Sequence, residues 1–131
     1  MILVDSSVWI NFLRATETSA VRTLRRTMIS DAGQVLLGDM VLLEVLQGAR
    51  DDNHAARIEG DLRTFPLVNL LDHPVAVLAA RNFRVLRGLG VTLRGVADLM
   101  IGTYCLLHGH ALLSDDRDFD PMVSHLGLLQ A

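Results

Sequence analysis

Ile2-Leu3-Val4-Asp5-Ser6-Ser7-Val8-Trp9-Ile10 carries an apolar run, a lone carboxylate and the start of a helical pattern in succession. Its opening apolar run lacks polar alternation and reads as a short strand, residues 2–5, buried on both faces as strands of parallel sheets are. The continuation Ser6-Ser7-Val8-Trp9-Ile10-Asn11-Phe12-Leu13-Arg14 has apolar positions at helical spacing, with Ser6 or Ser7 able to cap the start. Asp5 stands between strand and helix with no basic residue within a turn of it. Burying an unpaired carboxylate is expensive, so such a group is paired, protonated or given a cation.

The same pattern recurs outward along the chain. Val35-Leu36-Leu37 is predicted as a second strand, Leu67 to Leu71 as a third and Ala111 to Ser114 as a fourth. Helices are predicted over residues 17–30, from Asp39 to Gln47 with Gly48 as the stop, over 51–64, and from Val96 to His108 with Gly109 as the stop. A long helix starts at Asp72 with Pro74 in its first turn and ends near Gly88 and Gly90. Asp115 to Pro121 is read as a loop, and Leu126 to Leu129 as a short edge strand. Short apolar runs separated by helices predict an α/β domain, residues 1–131, with a mostly parallel sheet between two helical layers.

Three further carboxylates interrupt apolar sequence as Asp5 does. Glu44 splits Met40-Val41-Leu42-Leu43 from Val45-Leu46, Asp98 precedes Leu99-Met100-Ile101, and Asp116 follows Ala111-Leu112-Leu113. Asp5 and Asp116 fall at or just past the C-terminal ends of strands, and Glu44 and Asp98 in the first or second turn of helices. Ligands of open α/β sheets bind at that end, near the topological switch point. The four acids therefore point to one shared, oxygen-rich site suited to Mg²⁺ or Mn²⁺ and to phosphodiester chemistry. Asp39, Asp51, Asp52 and Asp72 read instead as helix caps or solvated charges.

Composition narrows the class. Half of the 131 residues are hydrophobic and 21% are charged, as in a globular protein. At 5% aromatic, the chain is poorly supplied for a base-stacking surface. A net charge of −3 argues against nucleic acid only on the surface, because several acids are the candidate cation ligands themselves. All 12 basic residues are arginine. Codon bias accounts for that, and arginine also suits bidentate phosphate recognition. The lone Cys105 excludes an intrachain disulfide, which fits a reducing compartment. No basic-then-apolar leader and no membrane-length apolar stretch is evident, so a cytoplasmic protein is expected.

The segments Ile2-Leu3-Val4-Asp5-Ser6-Ser7, Leu43-Glu44-Val45-Leu46-Gln47-Gly48, Val96-Ala97-Asp98-Leu99-Met100-Ile101-Gly102 and Leu113-Ser114-Asp115-Asp116-Arg117-Asp118-Phe119 together resemble the PIN-domain family, and within it the VapC-type toxins of toxin–antitoxin pairs. The resemblance spans nearly the whole chain. It implies a PIN-like three-layer fold and a Mg²⁺- or Mn²⁺-dependent endoribonuclease acting on tRNA, rRNA or mRNA. It implies an acidic quartet of Asp5, Glu44, Asp98 and Asp116, with Asp118 as a further acid. It also implies a hydroxyl near the metal from Ser6 or Ser7 and another from Ser114, where relatives often carry threonine. A VapB-like antitoxin and a homodimer are the implied protein partners. Gly102 departs from the alanine of many relatives. Asp115 adds an acid in the last segment, where Asp116 is the favoured ligand and Asp118 the second.

On this reading Asp5 is the central ligand, Asp98 and Asp116 complete the shell directly or through water, and Glu44 binds a second ion or orients the attacking water. Arg117 offsets local repulsion or touches substrate. Arg22, Arg25 and Arg26 share one helical face, and Arg81, Arg84 and Arg87 step along another. Each face is open to reading as RNA contact, solvated surface or dimer surface. Trp9 and Phe12 read as core or interface, Cys105 as a buried hydrophobe, and His108 and His110 carry no strong metal-site spacing. The alternative function is a PIN-like module that binds RNA or protein without catalysis. A phosphotransfer domain is disfavoured because its usual lysine is absent from the chain.

Overall fold

Val4 and Leu113 end two adjacent parallel strands, and this pairing positions everything that follows. In the computed structural model, which describes residues 1–131, four parallel strands form one sheet in the order β3-β2-β1-β4. They are β1 (Ile2–Val4), β2 (Val35–Gly38), β3 (Leu67–Val68) and β4 (Ala111–Leu113). Central β1 pairs Ile2 with Val35 on one side and with Ala111 on the other. Consecutive strand residues point to opposite faces. Leu3 and Val4, Leu36 and Leu37, and Leu112 and Leu113 are all buried, so both faces of the sheet are covered.

Seven helices cover it: α1 (Ser6–Leu13), α2 (Ser19–Asp31), α3 (Asp39–Gln47), α4 (Asp52–Leu62), α5 (His73–Gly88), α6 (Val96–His108) and α7 (Asp120–Leu126). They pack as two groups, α1 on α2 and α3 with α4 on α3, and α5 on α6 and α7. One core of 30 buried apolar residues joins them, with Trp9 fully buried against Phe12 and Phe65. No helix is long and apolar enough to cross a membrane. Cys105 is buried, and burial pushes its thiol up to about 12, which keeps it protonated.

Local chemistry explains most boundaries. Thr18 caps α2 by accepting the Val21 N–H at 3.0 Å, Asp51 caps α4 through His54 N–H, and Asp72 caps α5 through Val75 N–H. Asp39 acts differently: one carboxylate oxygen accepts the N–H groups of both Met40 and Leu70. That bond diverts Leu70 from the sheet, so β3 stops at Val68 rather than reaching Leu71 as expected.

The C-terminal region differs from the sequence reading. The expected loop 115–121 holds a 3₁₀ turn at Arg117–Phe119 and the start of α7, whose first turn contains Pro121. The expected edge strand Leu126–Leu129 is not formed. Leu126 ends α7, and Gly127 follows in the left-handed region (φ 77°), which ends the helix and turns the chain. Beyond it the tail makes a single parallel bridge, Leu112 to Gln130. Gly102 also finds its reason here: a Cβ at this position would collide with Sδ of the buried Met122.

Candidate metal centre

With strand order 3-2-1-4, the chain leaves β1 toward β2 on one side and reaches β4 on the other, so the switch point lies between β1 and β4. Asp5 follows β1 there, and its N–H donates to the Leu113 carbonyl at 2.9 Å, continuing the ladder. Asp5 is 4% exposed and has no cationic partner. Its Oδ2 accepts two hydroxyls instead, from Ser7 at 2.8 Å and from Ser114 at 3.0 Å. Burial pushes the Asp5 carboxyl up, and the two serine hydroxyls with the backbone amides of Ser6 and Ser7 pull it partly back.

The two serines after Asp5 have separate tasks. Asp5 itself occupies the N-cap position of α1 but makes no side-chain cap bond, and neither serine is the cap that the sequence allowed. Ser7 holds Asp5 and accepts the Asp115 N–H at 3.1 Å. Ser6 serves Glu44, whose carboxyl is pushed up by burial and by the Asp5 charge and pulled down by the Ser6 hydroxyl.

Asp98, Asp116 and Asp118 come together. Each offers a carboxylate oxygen within 4.8 Å of the others. Asp98 lies in the first turn of α6, and Asp116 and Asp118 flank Arg117 in the 3₁₀ turn. Asp116 Oδ1 accepts the Asp118 N–H at 2.9 Å, and the Asp116 N–H donates to Ser114 Oγ at 2.9 Å. Ser114 thus ties the buried Asp5 to the loop that carries two of the clustered acids. Burial pushes Asp98 up to about 6, aided in order by the charges of Asp5, Asp116, Asp118 and Glu44. The charges of Asp5 and Glu44, outside the cluster of three, are thus felt at Asp98 as well.

No ion pair relieves this charge. The ion pairs of the chain are Arg25 with Glu17 and Arg63 with Glu59, and Arg117 is exposed and forms none. A partly buried set of uncompensated carboxylates, with three oxygens converging and hydroxyls nearby, fits a hard divalent cation of the Mg²⁺ or Mn²⁺ kind. Asp98, Asp116 and Asp118 could each offer such an ion one oxygen.

Asp115 has a different role from its neighbours. Its Oδ2 accepts Asn11 Nδ2 and Thr18 Oγ1, both at 2.9 Å, which anchors the acidic loop to α1 and to the cap of α2. Asn11 and Thr18 were not expected at the site. They lie 104 and 97 residues from Asp115, and single polar residues at element ends carry no periodicity that would flag them.

Residues 2–122 match the family described as PIN domain. Ribonuclease VapC11 of Mycobacterium tuberculosis is 32% identical over 131 residues, covering 100% of this chain and 97% of that protein. The fold is similar to that in the crystal structure of FitAcB from Neisseria gonorrhoeae, with a TM-score of 0.76, 18% identity and coverage of 99% and 96%. It is also similar to VapBC2 from Rickettsia felis bound to a promoter DNA fragment, with a TM-score of 0.72, 14% identity and coverage of 100% and 98%.

Proposed function

The chain belongs to the PIN-domain family, among its VapC ribonucleases, and from that premise we propose that it is an endoribonuclease toxin dependent on Mg²⁺ or Mn²⁺ and neutralised by a VapB-like antitoxin. The observation that carries the metal dependence is the convergence of Asp98, Asp116 and Asp118 with no cationic side chain to offset them.

A divalent ion at this point would neutralise charge on a phosphodiester and raise the acidity of water. The protein's own residues prepare the site. Asp98, Asp116 and Asp118 hold the cation, and Asp5, expected as its central ligand, lies outside this converging trio and acts as a fixed charge or further ligand. Ser7 and Ser114 leave Asp5 little freedom to rotate, so its second oxygen keeps one direction. Glu44, half-buried and steadied by Ser6, orients the attacking water or contributes to a second ion. Asp115 holds the loop that carries Asp116 and Asp118.

The partners follow from the same reading. RNA is the substrate, drawn from tRNA, rRNA or mRNA. An antitoxin segment bearing an arginine or lysine would neutralise the same carboxylates, and a homodimer is the expected assembly. The solved structures of similar fold include complexes titled as VapBC2 and as a toxin–antitoxin complex, which supports an antitoxin partner.

The test is incubation of antitoxin-free protein with total cellular RNA, with Mg²⁺ or Mn²⁺, with EDTA, and with Asp98→Asn. Discrete products lost in both controls are expected. Folded protein that neither cleaves RNA nor binds Mn²⁺ would instead support the non-catalytic PIN-like module.

A further inference from the structure

Ser19, at the start of α2, lines two neighbouring depressions. One, of about 200 Å³, runs along the acidic loop between Ser19 and Thr23 on one side and Gln130 on the other, with Ser114, Asp115 and Asp116 in its wall. The other, of about 330 Å³, is walled by Ser19, Arg22, Arg25 and Arg26 alone. Ser19 borders both, so the depression walled by Asp116 of the carboxylate cluster adjoins the one walled by the three arginines of α2.

The three arginines are unequal. Arg25 is half-buried, paired with Glu17 and set over the Phe12 ring at 5.9 Å. Arg22 and Arg26 are exposed, and neither has a carboxylate partner. They stand four residues apart, so they are neighbours on one helix face and repel each other. Exposed like charges at that spacing are mildly unfavourable unless an anion is shared between them. In a chain of net charge −3, an uncompensated basic pair on the helix whose cap Thr18 is bonded to the acidic loop is a polarised surface matched to a chain of phosphates, one at the cation and others beyond it.

We propose that α2 is the substrate track of the site: RNA whose scissile phosphate lies at the Asp98–Asp116–Asp118 cluster runs past Ser19 and Thr23 and lays adjacent phosphates on Arg22 and Arg26. This rests on the ribonuclease reading given above and assigns the residues that hold the substrate outside the reacting centre. Arg25, neutralised by Glu17 and set over Phe12, is not itself a phosphate contact.

The test compares wild-type protein with Arg22→Gln/Arg26→Gln and with the charge-matched Arg81→Gln/Arg84→Gln on α5. Glutamine matches arginine closely in helix propensity, so both variants keep their helices. End-labelled fragments of total cellular RNA are bound in EDTA across a salt series, and cleavage is then followed with Mg²⁺. The α2 pair should weaken binding roughly tenfold at low salt and flatten log K against log salt by about 1.4, two phosphates at about 0.7 each. KM should rise while kcat holds, because the contact is made equally before and during reaction. The α5 pair should keep the wild-type slope and KM. Equal losses from the two pairs, or none from the α2 pair in a wild-type protein that binds and cuts RNA, would overturn the track alone. A wild-type protein that neither binds nor cuts RNA would overturn the ribonuclease reading and the track with it.

Discussion

Replacing Asp98 with asparagine should make the metal-free protein more stable while it abolishes cleavage. Asp98 is pushed from its ordinary 3.8 up to about 6, first by burial and then by the charges of Asp5, Asp116, Asp118 and Glu44. A carboxyl raised in the folded state contributes its full stability below the unfolded pKa and loses it as pH rises through about 6. At about 1.36 kcal/mol per pH unit the rise would be worth at most about 3 kcal/mol at pH 8. The side chain is half-exposed and water screens it, so about 1–2 kcal/mol is the working figure. Urea denaturation in EDTA at pH 8 should therefore find Asp98→Asn more stable by about 1–2 kcal/mol. The gap should shrink to a fraction of that near pH 4.5, where the folded wild type is itself protonated at this position. Saturating Mn²⁺ should reverse the order, since a ligand present at about 100 times Kd stabilises its binder by roughly 2.7 kcal/mol. A variant less stable than wild type in EDTA at pH 8, or a gap that ignores pH, would show that burial and neighbouring charge do not strain Asp98 in the folded protein.

Three other substitutions separate the roles assigned to the remaining residues. Ser114→Ala removes one of the two hydroxyls on Asp5 and the acceptor for the Asp116 N–H, so it should cost about 1–2 kcal/mol and reduce the cleavage rate, with Ser114→Thr recovering both in thermal melts and RNA assays. Asp115→Ala releases Asn11 and Thr18, so it should lower stability by about 1–2 kcal/mol while Mn²⁺ binding measured by calorimetry persists, whereas Asp116→Asn should lose Mn²⁺ binding and keep the fold. Gly38→Ala would drive a Cβ to 2.7 Å from Cδ1 and 2.9 Å from Cγ of the buried Leu70, and should destabilise by about 1–3 kcal/mol, read as a fall in Tm.

The parts of the fold that were legible in the sequence are those set by apolar runs. β1, β2 and β4 fall where Ile2-Leu3-Val4, Val35-Leu36-Leu37 and Ala111-Leu112-Leu113 place them, because a strand buried on both faces must be apolar at every position. Asp5, Glu44, Asp98 and Asp116 stood out for the converse reason, since a carboxylate interrupting such a run has no cheap structural use, whereas Asp118 lies in a polar loop and was indicated only by the family resemblance. What escaped is held by single polar bonds over long separations. Leu70 leaves the sheet for Asp39, and Asp115 is claimed by Asn11 and Thr18, neither of which any local pattern announces. The short α7 was hidden because Asp120-Pro121 reads equally as a turn and as the first turn of a helix. The difference between Ser6 and Ser7 depends on side-chain direction at the head of α1, one residue turning to Glu44 and the next to Asp5.

RNA cleavage should require a cation held by Asp98, Asp116 and Asp118. Mn²⁺ titration followed by electron paramagnetic resonance, with cleavage of total RNA measured on the same samples, tests it most directly. The cleavage rate should rise in step with Mn²⁺ occupancy in wild type, and both should vanish together in Asp116→Asn. Cleavage that persists in EDTA, or Mn²⁺ bound undiminished by Asp116→Asn, would contradict it.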